Sequence, residues 1–119
     1  VEVGVRLLDL FCGAGGAAMG YYRAGFEVVG VDNRPQPHYP FTFEQADVFR
    51  LIAHNGPWFR SFDVLHASPP CQRWLGVPFA LGENEYPDLL TPTRDLFTRA
   101  RKPWVIENVP GAPLDGFVL

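Results

Sequence analysis

The tripeptide Pro69-Pro70-Cys71 follows an apolar run at residues 62–67 and sets a thiol on a turn stiffened by two prolines. Pro70 has a fixed φ, and Pro69 confines Ser68 to extended geometry. A thiol held in this way is presented for attack. With an ordinary pKa of about 8.5, only a few per cent is thiolate at neutral pH, yet a positioned thiol is nucleophilic enough to react. Arg73 stands close enough in sequence to assist electrostatically. Read alone, Cys71 more often suits a small residue filling an interior than a nucleophile.

Glu107 lies directly after apolar Val105-Ile106, so its carboxyl is expected to be partly desolvated, which favours the protonated, hydrogen-bond-donating form. Its plainer reading is a strand-end acid that binds nearby backbone amides. Gly13, Gly15 and Ala18 match the G-x-G-x-x-G/A spacing that lets backbone approach a ligand closely at a helix N-terminus. Asp32, at the end of a second apolar run, is placed to accept both ribose hydroxyls of an adenosine-containing cofactor. That pair serves NAD or an S-adenosyl cofactor equally well, and glycines also allow tight strand-to-helix packing.

These groups need elements to hold them. Residues 5–10 (VRLLDL) read as a strand buried on both faces, and residues 15–24 as a helix stopped by Gly25. Residues 27–31 form a second strand, after which Pro35, Pro37 and Pro40 exclude regular structure. Residues 41–46 make a third strand ending at Asp47, and a short helix at 48–53 is broken by Asn55-Gly56-Pro57. Residues 62–67 are the fourth strand, with a Gly- and Pro-punctuated mobile loop running on to Pro87. A helix at 88–101 follows, with Leu89, Leu90, Leu96 and Phe97 on its buried side, then a fifth strand at 104–106.

Alternating strands and helices imply an α/β fold with a parallel sheet and right-handed crossovers. The expected strand order is 3-2-1-4-5. Ligands in such sheets bind beyond the carboxyl ends where the order reverses. With strands about 4.8 Å apart, the ends of strands one, four and five span roughly 10 Å, so Gly13, Cys71 and Glu107 are expected to share one cleft.

At 119 residues the chain suits one domain and one core. No stretch approaches the ~18 apolar residues of a membrane span, and no secretion signal opens the sequence, so no membrane association and a cytoplasmic address are expected. Cys12 and Cys71 are the two cysteines, and His38, His54 and His66 lack ligand spacing with them, so no metal is expected. A net charge of -3 argues against this segment alone gripping a phosphate backbone.

Taken together, Asp9-Leu10-Phe11-Cys12-Gly13-Ala14-Gly15-Gly16, Pro70-Cys71-Gln72 and Glu107-Asn108-Val109 resemble the first, fourth and sixth motifs of cytosine-C5 DNA methyltransferases. The resemblance implies a Rossmann-like methyltransferase sheet and S-adenosylmethionine as cofactor. It implies a cofactor bed of Phe11, Gly13, Gly15 and Gly16, with Phe11 on the adenine. Asp32 would hold the ribose with Asn33 adjacent, Asp47 and Val48 would bind and flank the adenine, and Pro70 would line the reactive end. Cys71 would attack cytosine C6, and Glu107 would engage the ring near N3 of a base flipped out of DNA. A prokaryotic or phage restriction-modification setting fits the same resemblance.

Two departures qualify it. Arg73-Trp74-Leu75 keeps an aromatic after Pro-Cys-Gln but lacks the serine many relatives carry there. The sequence also stops before the family's later arginine motif, target-recognition region and terminal helix. The expectation is therefore an incomplete sheet, residues 1–119 being the N-terminal portion of one catalytic domain that needs a completing C-terminal segment or partner chain. The competing readings are a non-catalytic cofactor-binding or interaction module of the same fold, and an NAD-binding oxidoreductase.

Overall fold

The computed structural model describes residues 4–70 and 88–108. Its strands are β1 (Arg6–Leu10), β2 (Glu27–Asp32), β3 (Thr42–Gln45), β4 (Val64–Ala67) and β5 (Trp104–Ile106). All pairings are parallel, in the order β3-β2-β1-β4-β5. This is the expected Rossmann-like sheet, with its reversal between β1 and β4.

Side chains alternate across the pleat, and the two faces have different tasks. One face carries Leu8, Leu10, Val29, Val31, Leu65 and Ala67, packed against Val48, Ile52, Phe59 and Phe97 from helices α2 (Val48–His54), α3 (Gly56–Arg60) and α4 (Leu90–Ala100). Phe62 and Phe97 are wholly excluded from solvent there, each stabilising the fold by about 1.5–3 kcal/mol. The other face packs Leu7 and Val28 against Ala18 of helix α1 (Gly16–Arg23) and against Tyr39. That second face also carries polar side chains: Asp9 and His66 occupy paired positions on β1 and β4 and are both buried.

Helix signals resolve in detail. Gly25 takes the left-handed conformation (φ +102°) just past α1, as its position predicts. Asp47 caps α2 by accepting the Arg50 N–H over 3.0 Å. Asn55-Gly56-Pro57 does break α2, but it also begins α3, since proline is tolerated in a helix's first turn. In α4, Asp88 accepts from the backbone N–H groups of Leu90 and Thr91 and from the Thr91 hydroxyl, so the helix starts two residues later than the expected 88. Its buried stripe is Leu90, Thr93 and Phe97. Thr93 was not among the expected residues; its hydroxyl is satisfied by donating to the Leu89 carbonyl over 2.6 Å.

Candidate active site at the carboxyl ends of the strands

The sheet's hydrogen bonding continues past the strand ends and lines the site residues along one rim. Cys12 N–H donates to the Val31 carbonyl, Ser68 N–H to Leu10, Glu107 N–H to Ala67 and Ala46 N–H to Asp32, all within 3.1 Å. The turn after β1, the end of β2 and the turns after β4 and β5 are thereby brought to one level.

The glycine turn is shaped by positive φ. Phe11 (+52°) and Gly13 (+55°) lie in the left-handed region, and Gly15 reaches +100° as the residue preceding α1. For a phenylalanine that conformation costs roughly 1–2 kcal/mol. Phe11 is half-buried, with its ring 6.2 Å from Phe49 of α2. Gly15 cannot gain a side chain cheaply: a Cβ there would stand 3.0 Å from both Pro40 and Tyr39. By contrast, a Cβ at Gly13 or Gly16 would meet nothing within 4 Å, so the turn faces open space.

Asp32 binds this turn to its own strand. Its Oδ2 accepts the Gly13 N–H and its Oδ1 the Arg34 N–H, each over 3.0 Å. Each carboxylate oxygen retains acceptor capacity beyond these bonds. Asn33 is exposed, and its carbonyl accepts from Gln45 Nε2 over 3.3 Å. Asp47 is exposed at the head of α2, whereas Val48 is buried in the core beneath that cap. A glycine-lined opening, two carboxylates and an aromatic ring on one rim suit an adenosyl group.

Two links couple the ends of β4 and β5. Asn108 Nδ2 donates to the Pro69 carbonyl over 3.1 Å, and the Ser68 hydroxyl donates to Glu107 Oε1 over 2.5 Å. Pro70 is exposed at the end of this pair. Glu107 differs from expectation: its side chain is 57% exposed, following β5 at the edge of the described sheet. Cys71, Arg73, the loop with Gly76 and Gly82, and Val109 lie outside the described residues.

Several polar residues that the sequence reading passed over are central here. Asp9 is buried, and that burial pushes its carboxyl up to about 7, opposed by a 3.3 Å hydrogen bond from the Tyr39 hydroxyl. Its Oδ1 has no hydrogen-bond partner among the described residues. Tyr39 reaches Asp9 because Gly30 leaves room for its ring. His66 is held between Tyr21, 2.7 Å from Nδ1, and the Ser68–Glu107 pair at Nε2. The available signal was a polar residue within an apolar run, as in Asp9 and His66, since a polar group buried in a strand requires partners. Cys12 is half-buried, and burial pushes its thiol up to about 12, so it stays protonated and inert at neutral pH.

Among the described residues no cluster of histidine, cysteine and carboxylates is arranged to hold a metal ion, and no helix is long and apolar enough to cross a membrane.

Comparison with known proteins points one way. The family model for C-5 cytosine-specific DNA methylases matches residues 5–111. The Type II methyltransferase M.FnuDI of Fusobacterium nucleatum is 33% identical over an alignment covering 68% of this chain and 25% of that protein. The chain therefore spans about a quarter of the length of this curated relative. No solved structure matches. With the family's model covering nearly the whole sequence and the parallel 3-2-1-4-5 sheet beneath it, this chain belongs to the C-5 cytosine-specific DNA methylases.

Proposed function

We propose that the chain is the cofactor-binding and nucleophile-bearing part of a methyltransferase catalytic domain that methylates C5 of cytosine in DNA, using S-adenosylmethionine. The observation that carries this reading is the coupling of the β4 and β5 ends: Asn108 to Pro69 and Ser68 to Glu107 tie the turn leading into Cys71 to the candidate acid.

S-adenosylmethionine, when bound, supplies an electrophilic methyl group. Phe11, Gly13, Gly15 and Gly16 would form its bed, Asp32 with Asn33 would accept the ribose hydroxyls, and Asp47 with Val48 would border the adenine. Pro70 would line the reactive end. The Cys71 thiolate adds to C6 of a cytosine flipped out of the duplex, breaking the C5–C6 double bond and making C5 nucleophilic. Glu107 stabilises the charge that develops on the ring by a hydrogen bond at N3. After methylation, loss of the C5 proton and of the thiolate restores the ring and frees the enzyme. The segment that completes the sheet beyond β5 and the surface that reads the DNA sequence would be supplied by a C-terminal segment or a partner chain.

The test is mechanism-based trapping. With the chain completed by that segment or partner, duplex DNA carrying 5-fluorocytosine and labelled cofactor should give a covalent protein–DNA adduct that Cys71→Ala abolishes, while cofactor affinity changes by no more than a few-fold. Cofactor binding without any adduct would instead identify a non-catalytic module, and stabilisation by NAD alone would remove the methyltransferase reading.

A further inference from the structure

Ser68 and His66 converge on a single oxygen of Glu107. Ser68 Oγ lies 2.5 Å from Oε1, and His66 Nε2 lies 3.3 Å from the same atom. His66 Nε2 is also 3.2 Å from Ser68 Oγ, so the three groups form a closed cluster at the ends of β4 and β5. Across the imidazole, Tyr21 of α1 reaches Nδ1 over 2.7 Å and packs edge-on at a centroid distance of 5.1 Å.

The hydrogen-bond directions follow from what each group can donate. The carboxylate oxygen at Nε2 accepts, so that nitrogen carries the proton and Nδ1 accepts from the Tyr21 hydroxyl. An accepting Nδ1 leaves the proton of the neutral ring on Nε2, facing Glu107 Oε1 and Ser68 Oγ. Neutrality suits the site: burial lowers the His66 pKa, offset in part by Glu107. The titratable groups facing His66 from the packed elements are Tyr21 on α1, Asp9 at the paired position of β1, and Glu107 beyond β5. With Oε1 engaged by Ser68 and His66, Oε2 is the oxygen left to meet a ligand.

We propose that His66 and Ser68 are positioning residues for Glu107, clamping Oε1 so that Oε2 is the atom presented to the pyrimidine ring. The assignment rests on the methyltransferase reading above and adds to it the groups that orient its acid. Tyr21 completes the device by fixing the tautomer of His66.

Two measurements test it. In single-turnover methylation of duplex DNA by the complete protein, Ser68→Ala and His66→Phe should each slow the chemical step about ten-fold, with DNA and cofactor affinities unchanged. His66→Gln, whose amide can donate to Oε1, should recover part of the loss. Imidazole 15N spectra should show the Nε2–H tautomer for His66, with the Nε2 signal moving on Glu107→Gln. Unaltered rates in Ser68→Ala, which leaves the core intact even if His66→Phe fails to fold, would overturn the clamp, as would an Nδ1–H tautomer. A complete protein that transfers no methyl group counts against the proposed function instead, and the spectra then decide the clamp by themselves.

Discussion

The Gly13 N–H donates to Oδ2 of Asp32 over 3.0 Å, so the turn after β1 and the end of β2 form one hydrogen-bonded unit. The same carboxylate takes the Arg34 N–H, which means a single side chain shapes both walls of the proposed adenosyl site. Asp32→Ala removes these acceptors together with the candidate ribose contact. It is expected to weaken S-adenosylmethionine binding at least about ten-fold, or ~1.4 kcal/mol, by titration calorimetry. Unchanged affinity would take Asp32 out of the site.

Asp9 gives the fold a defined pH dependence. Its folded pKa of about 7 exceeds the ordinary 3.8, so between those values the folded protein holds a proton that the unfolded chain has released. Stability must therefore fall as pH rises through that window and stay reduced above it. Asp9→Asn removes the charge, and the gain should grow from near zero below the window to on the order of a few kcal/mol above it. Denaturation midpoints of the two proteins at pH 5 and pH 8 check this; an equal gain at both contradicts the account.

Gly30 and Tyr39 should fail together. A Cβ at position 30 would collide with Tyr39 Cζ, closer than atoms can pack, and the ring is pinned by Phe41 and Phe43. Gly30→Ala should destabilise the protein by about 1–3 kcal/mol through this overpacking. In the Tyr39→Ala background, where the clash is absent, the same substitution should cost much less. Equilibrium urea unfolding of the four proteins in that cycle gives the coupling directly.

The two cysteines should differ in reactivity. The Cys12 thiol, pushed up to about 12 by burial and by Asp9 and Asp32, resists alkylation at neutral pH. Folded Cys71→Ala protein should therefore take up iodoacetamide only after unfolding. Rapid labelling of that folded variant would show that Cys12 is reached by solvent and carries a thiolate.

The strands and their parallel order were legible from residues 5–10, 27–31, 62–67 and 104–106, because short apolar runs closing on glycine, aspartate or proline permit few other topologies. The glycine turn and Asp32 were legible for a similar reason, since positive φ and a strand-end carboxylate are local requirements with local signatures. What depended on tertiary structure was everything lateral. Asp9 and His66 are 57 positions apart, and only the register of β1 against β4 makes them neighbours on the face covered by α1. Tyr39 sits in a proline-rich loop with no periodic pattern, so its reach over Gly30 to Asp9 follows from folding alone. Glu107 followed apolar residues in the chain and still came to stand exposed, because burial is set by what packs against a strand and not by its sequence neighbours.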